Sequence, residues 1–365
     1  MSKLHELSEH GVSIWLDDLS RARLTSGNLA ELIRDHAVVG VTTNPAIFQA
    51  AISDADDYRD DIRRLAQEGL DAEAIITELT TSDVRQACDL FAQTYEQTDG
   101  VDGRVSIEVD PRLAHNGPQT VEQAMELYER VDRKNVMIKI PATTEGLSAI
   151  RETIAAGISV NVTLIFSIER YREVLEAYLE GLELAARAGR DLSQIHSVAS
   201  FFISRVDTAV DARLEEIGGP SALAMRGKAA IASARTAYEV FRDVESSDRF
   251  QTLANQGARL QRLLWASTGV KNPAYSPTMY VDQLVTSAVV NTMPEATLWA
   301  VKDHADLHAG DTVQPAIEQA HNTLHQLTLL GVDLPGTCHR LEDEGVEKFE
   351  VAWEDLIQTV HDEMR

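Results

Sequence analysis

Eight short runs rich in valine and isoleucine recur along the chain, separated by longer segments with helical spacing. They are residues 12–17 (VSIWLD), 38–43 (VVGVTT), 104–110 (RVSIEVD), 135–140 (NVMIKI), 158–166 (ISVNVTLIF), 195–202 (IHSVASFF), 262–268 (RLLWAST) and 288–293 (AVVNTM). Between them, Val121, Ala124, Met125 and Tyr128, or Tyr171, Leu175, Tyr178 and Leu182, follow the three-to-four-residue period of a helix face. Strands apolar on both faces and alternating with helices build a parallel sheet covered by helices. Eight such units predict an α/β fold, a closed (β/α)8 TIM barrel, with a doubly wound open sheet as the competitor. The competitor lacks its loops. No G-x-G-x-x-G follows the first strand, and no G-x-x-x-x-G-K-[ST] occurs anywhere.

Residues 46–103 are too many for one crossover helix, so extra helices are expected after the second strand. Residues 315–331 and 346–364 carry further helical patterns, expected to pack on the barrel at the C-terminus. With no Pro/Gly/Ser-rich linker and no repeat, residues 1–365 are expected to form one domain.

The net charge of −25 opposes nucleic acid and anionic membranes as partners. No run of about 18 apolar residues predicts a membrane span. The opening MSKLHELSEHG has no signal-peptide character, so a cytoplasmic location is expected. Cys88 and Cys338 are far apart and without metal-ligand spacing, as for reduced thiols. No metal or other cofactor is expected.

One residue does not fit its surroundings. In NVMIKIPATTEG, Lys139 sits among Val136, Ile138 and Ile140 near the end of a strand that otherwise looks buried, and Pro141 should end that strand. Other polar residues also fall at the C-terminal ends of strands: Asp17, Asn44, Glu108, Asn161 with Thr163, Ser200 and Ser267. Barrel enzymes assemble their sites at that face. Desolvation there would disfavour the ammonium form of a lysine, and a neutral amine forms Schiff bases with carbonyl substrates. Asp17 and Glu108 would supply general acid and base groups.

Each residue has a plainer account. A structural ion pair explains Lys139 equally well. Asp17 or Asp18 serves as well as an N-cap, and Asn44 before Pro45 as a turn or cap residue. Asn161 and Thr163 suit a polar core network. Trp15, Trp265 and Phe202 suit core filling. Glu108, between Ile107 and Val109, needs a partner whatever its role.

The segments IWLDDLSR, GVTTNPAIF, VSIEVDPRLA, VMIKIPATTEG, VNVTLIFS and VNTMPE resemble, in order, the transaldolases. These are Schiff-base barrel enzymes of the pentose phosphate pathway. LWASTGVKNPAYS is similar to the longer bacterial branch, which includes fusions to a sugar-phosphate isomerase, and the chain is too short to carry that partner. The resemblance implies sugar-phosphate substrates and a transferase moving a dihydroxyacetone unit, with an aldolase that releases dihydroxyacetone or a non-catalytic sugar-phosphate binder as alternatives. A monomer or homodimer is expected. It makes Lys139 the Schiff-base lysine and Asp17 the acid/base for the sugar C4 hydroxyl. Glu108 with Thr163 would hold a proton-relay water, and Asn44 and Asn161 would bind the dihydroxyacetone hydroxyls. Ser200 and Arg205, in SFFISR, match a segment used at the substrate phosphate, and Phe202 would lie beside the enamine carbon. Phe201 and Ser204 depart from the family's S-P-F-x-G-R, and Lys271, with Ser267 nearby, stands in for a second phosphate-binding arginine.

Overall fold

A computed structural model describes residues 2–53 and 56–364. The eight expected strands are all present: β1 (Val12–Leu16), β2 (Val38–Val41), β3 (Arg104–Glu108), β4 (Val136–Pro141), β5 (Val160–Ile165), β6 (Ser197–Phe202), β7 (Arg262–Ala266) and β8 (Val289–Met293). They pair in sequence order, all parallel, and β8 closes on β1, making a (β/α)8 barrel. This closure removes both sheet edges, so valine and isoleucine are buried on both faces: inward in the barrel, outward under helices. Tyr171, Leu175, Tyr178 and Leu182 are buried as their spacing implied, whereas Met125 lies at the solvent edge of its helix, 39% exposed.

Strand ends differ slightly from expectation. β1 and β3 stop short of Asp17, Val109 and Asp110, which places Asp17 just beyond the ladder. Pro141 is the last residue of β4, in register with Thr163. Ile138 and Ala142 donate toward β5, so the proline nitrogen faces β3, which has already ended, and no ladder bond is lost.

Among its described residues, the connection from β2 to β3 holds four helices, Pro45–Ser53, Asp56–Gln67, Ala72–Leu90 and Ala92–Gln97. At the other end of the chain a helix spans Ile317–Leu329, and a long one spans Leu334–Glu363. Asp333 caps the latter by accepting the Gly336 N–H, with Pro335 in its first turn. It packs on the Pro45–Ser53 and Ser204–Ile217 helices and reaches β5. A half-hidden ion pair, Arg170 to Glu342 at 3.2 Å, ties it to the Ile168–Arg187 helix.

The close approach to β5 depends on Gly345. A Cβ there would lie 2.9 Å from Leu164 Cδ2 and 3.6 Å from the Phe166 ring. Leucine at a free helix surface should stabilise relative to glycine by about 0.5–1 kcal/mol. Here overpacking should reverse the sign, and Gly345→Leu should lose roughly 1–3 kcal/mol in denaturant unfolding. A gain in stability would show that this helix does not press on the barrel.

Candidate active site

The C-terminal ends of the strands surround a cavity of about 580 Å³. Lys139 reaches it from β4. Its Nζ lies 3.1 Å from Glu108 Oε2, donates to the Thr43 carbonyl at 3.0 Å, and sits 5.6 Å from the centre of the Phe349 ring. The Lys139 and Glu108 side chains are each only 5% exposed. The partner that Glu108 required is therefore Lys139, held opposite it by register: Glu108 pairs with Lys139 across β3 and β4. An ion pair this buried is weak support for stability, because desolvation offsets most of the attraction. What separates it from a purely structural pair is that Lys139 also borders the cavity, with Asp17 on the same wall.

Asp17 accepts from Thr42 Oγ1 at 2.7 Å, and Thr42 Oγ1 is 2.7 Å from Thr292 Oγ1. Asp18 is turned away from the cavity and pairs with Arg23. Neither aspartate caps the next helix; Ser20 does. Burial raises the Asp17 carboxyl above the ordinary aspartate range, opposed by Lys139 and by the Thr42 hydrogen bond. Burial raises Glu108 in the same way, again opposed by Lys139. Both acids thus hold a proton more tightly than free carboxyls do, as a general acid/base requires.

Asn44 is both a cap and a wall. Its Oδ1 accepts from the Ile47 N–H at 3.0 Å, and the residue lines the cavity. Asn161 is fully buried one layer below. Its Nδ2 donates to Ser106 Oγ at 3.0 Å, and its Oδ1 accepts from Ser200 Oγ at 2.7 Å. Ser200 and Thr163 reach the wall where Asn161 does not. Glu108 lies behind Lys139, beside a separate space of about 20 Å³. Thr163 Oγ1 is buried without a hydrogen-bond partner among the described residues, while Glu108 Oε2 is held by the Lys139 amine.

Arg205 opens the Ser204–Ile217 helix, with its guanidinium 5.4 Å from the centre of the Phe202 ring and Nη1 buried and unpartnered among the described residues. Burial lowers its pKa, with Asp17 and Glu344 opposing. Phe202 packs on Phe166 at 5.0 Å and faces the cavity. Ser204 pairs with Ser267, Oγ to Oγ at 2.9 Å, and its N–H donates to the Ser267 carbonyl at 3.0 Å. Phe201 points the other way, edge-on to Trp265 and Tyr171. Lys271 lines the rim.

Sequence reasoning missed two groups. Thr42, Thr292 and Ser204 lay inside the quoted segments, so the signal was present. Thr337, Arg340, Leu341, Glu344, Lys348 and Phe349 come from the Leu334–Glu363 helix, which closes one side of the cavity. Their three-to-four-residue spacing marks one helix face, but nothing local says what that face meets. Arg340 and Lys348 bring two more cations to the rim.

A family model described as Transaldolase/Fructose-6-phosphate aldolase matches residues 14–360. The chain belongs to this family. The transaldolase of Mycolicibacterium smegmatis is 59% identical over 361 residues, covering 99% of this chain and 97% of its own. The Mycobacterium tuberculosis transaldolase is 57% identical over 356 residues, covering 97% and 95%. Transaldolase 1 of Streptomyces avermitilis is 56% identical over 365 residues, covering 100% and 96%. The family resemblance inferred from the motifs extends across the whole barrel and into the C-terminal helix.

The raised Asp17 carboxyl has a consequence for stability. Folding lifts it above the unfolded value near 3.8, so the native state holds a proton that the unfolded chain releases. Its contribution is most favourable below that value and is lost as pH rises through the folded one. Asp17→Asn should therefore melt above wild type at about pH 7, with the gap closing toward about pH 4. A constant gap, or none, in thermal unfolding at the two pH values contradicts this assignment.

Proposed function

We propose that this chain is a transaldolase of the pentose phosphate pathway, transferring a dihydroxyacetone unit between sugar phosphates through a Schiff base on Lys139. The observation that carries the proposal is the Lys139 amine, buried against Glu108 and yet bordering a 580 Å³ cavity with Asp17. The donors would be fructose 6-phosphate or sedoheptulose 7-phosphate, and the acceptors glyceraldehyde 3-phosphate or erythrose 4-phosphate.

Lys139 attacks the ketose C2, and loss of water gives an iminium. Glu108 lies where it can take and return the protons of that dehydration. The Thr163 hydroxyl, on the cavity wall and unpartnered among the described residues, is suited to a relaying water. The iminium draws electrons from the C3–C4 bond as Asp17 removes the C4 hydroxyl proton. An aldose phosphate leaves, and the enamine on Lys139 adds to a new aldehyde. Asn44 and Ser200 face the bound fragment from the wall. Asn161 acts one layer down, fixing the orientation of the Ser200 hydroxyl. Arg205, Lys271 and Ser267 supply the phosphate end, and Arg340 supports them from the C-terminal helix. Against a net charge of −25, this cluster of cations is the local field an anionic substrate needs.

The aldolase reading differs in the fate of the enamine. Hydrolytic release needs a proton donor near the enamine carbon, and Phe202 offers only a ring, packed on Phe166 with the Arg205 guanidinium 5.4 Å from its centre. Transfer should therefore dominate. Purified protein with fructose 6-phosphate and erythrose 4-phosphate should form glyceraldehyde 3-phosphate in a coupled assay and release little dihydroxyacetone without an acceptor. Phe202→Tyr should shift the partition toward free dihydroxyacetone about tenfold, since about 1.4 kcal/mol between competing barriers is enough. Rapid release by wild type would favour the aldolase. No turnover in either assay would leave only the binder. An unchanged partition in the variant would remove the role given to Phe202.

A further inference from the structure

At the opposite end of the barrel, where β3, β6 and β7 begin, lies a second cavity of about 150 Å³. Arg104, His196, Arg259 and Arg262 line it, with Val101, Met137 and Val198 as apolar wall. Arg262 is fully engaged: it donates to Ser13 Oγ at 2.8 Å, to the Val101 carbonyl at 2.6 Å and to Asp102 at 3.0 Å. Asp102 is engaged too, accepting from Ser13 Oγ and Trp15 Nε1 as well.

Arg104 is different. It is 1% exposed and lies over the Tyr95 ring, and its Nε and Nη1 donate to the Gly100 and Lys134 carbonyls. Among the described residues no carboxylate pairs with it, and Nη2 is buried without a partner. Arg259 pairs with Asp99 through Nη2 at the rim, and its Nε is also buried and unpartnered. Arg104 Nη2 and His196 Nε2 both approach Gly100, whose φ is +74°: a Cβ there would lie 3.1 Å from His196 Nε2 and 3.2 Å from Arg104 Nη2. Burial and the three arginines push His196 down to about 2, so its ring is neutral, and it hydrogen-bonds to the Ser193 backbone.

A buried guanidinium is costly when the carboxylate that acts on it, Asp102, is already paired with Arg262, and unpartnered buried donors call for an acceptor. A tetrahedral oxyanion supplies both charge and several acceptor oxygens, and guanidinium forks match it well. The cavity has room for roughly five waters' share of liquid volume, which suits a small ion. A barrel plug made only of structural ion pairs, as Arg262 and Asp102 form, would leave no such donors. We propose that this basal pocket binds a small tetrahedral oxyanion of the phosphate or sulfate class through Arg104 and Arg259, beside His196 and independently of the site at Lys139.

The full-length protein carrying Arg205→Gln and Arg340→Gln, which weakens anion binding at the other end, serves as the parent. Titration calorimetry with sulfate at constant ionic strength should show binding that Arg259→Gln, added to this parent, weakens about tenfold or more. Arg259 sits at the rim with its side chain 35% exposed, so its replacement spares the core that Arg104→Gln would disturb. Crystals soaked in selenate should show anomalous selenium density between Arg104, Arg259 and His196. No sulfate binding by the parent, equal affinity after Arg259→Gln, or selenium only near Arg205 would overturn the proposal.

Discussion

The buried contact between Lys139 and Glu108 is the constraint around which the rest is arranged. An amine and a carboxyl, each about one-twentieth exposed, face one another at 3.1 Å because β3 and β4 are held in register. Such a pair contributes little to stability after desolvation. Its setting is what makes it useful: a closed barrel keeps both groups away from bulk water while leaving the amine on a cavity wall. Asp17 shares that wall, and burial lifts both acids above their ordinary range. Both acids therefore hold protons more tightly than free carboxyls do, as the carbinolamine formation and C–C cleavage proposed at this site would require.

The cavity is completed from far away in sequence. The Leu334–Glu363 helix crosses the mouth, seated through Gly345 against Leu164 and fixed by Glu342 and Arg170. It brings Phe349 to within 5.6 Å of the Lys139 amine and adds Arg340 to the cationic rim. In a strongly acidic chain, positive side chains are gathered at the two ends of the barrel: at the mouth beside Arg205, and at the base around Arg104.

Much of this was legible because parallel barrels write themselves into sequence as largely apolar strands at regular intervals, with the polar residues of the site gathered toward the strand ends. That pattern located every strand and set Asp17, Lys139, Thr163, Ser200 and Ser267 on one face. Depth was not legible. Period-two alternation places Asn161 and Thr163 on the same side of β5, but only the barrel's layering shows that Thr163 reaches the cavity and Asn161 stops at Ser106 and Ser200. Likewise, local pattern could not separate Asp17 from Asp18; the structure does so by giving Asp18 to Arg23 and the cap to Ser20. The residues of the C-terminal helix were hidden for the same reason. An amphipathic face declares that it is buried, and its partner is decided by contacts spanning much of the chain.

The central claim is that Lys139 carries the substrate covalently, and trapping tests it most directly. Borohydride reduction in the presence of fructose 6-phosphate should inactivate the protein and leave one reduced dihydroxyacetone unit, found by peptide mass spectrometry on Lys139. Lys139→Met should neither turn over nor be labelled. An adduct on a different lysine, with Lys139→Met still active, would contradict the account.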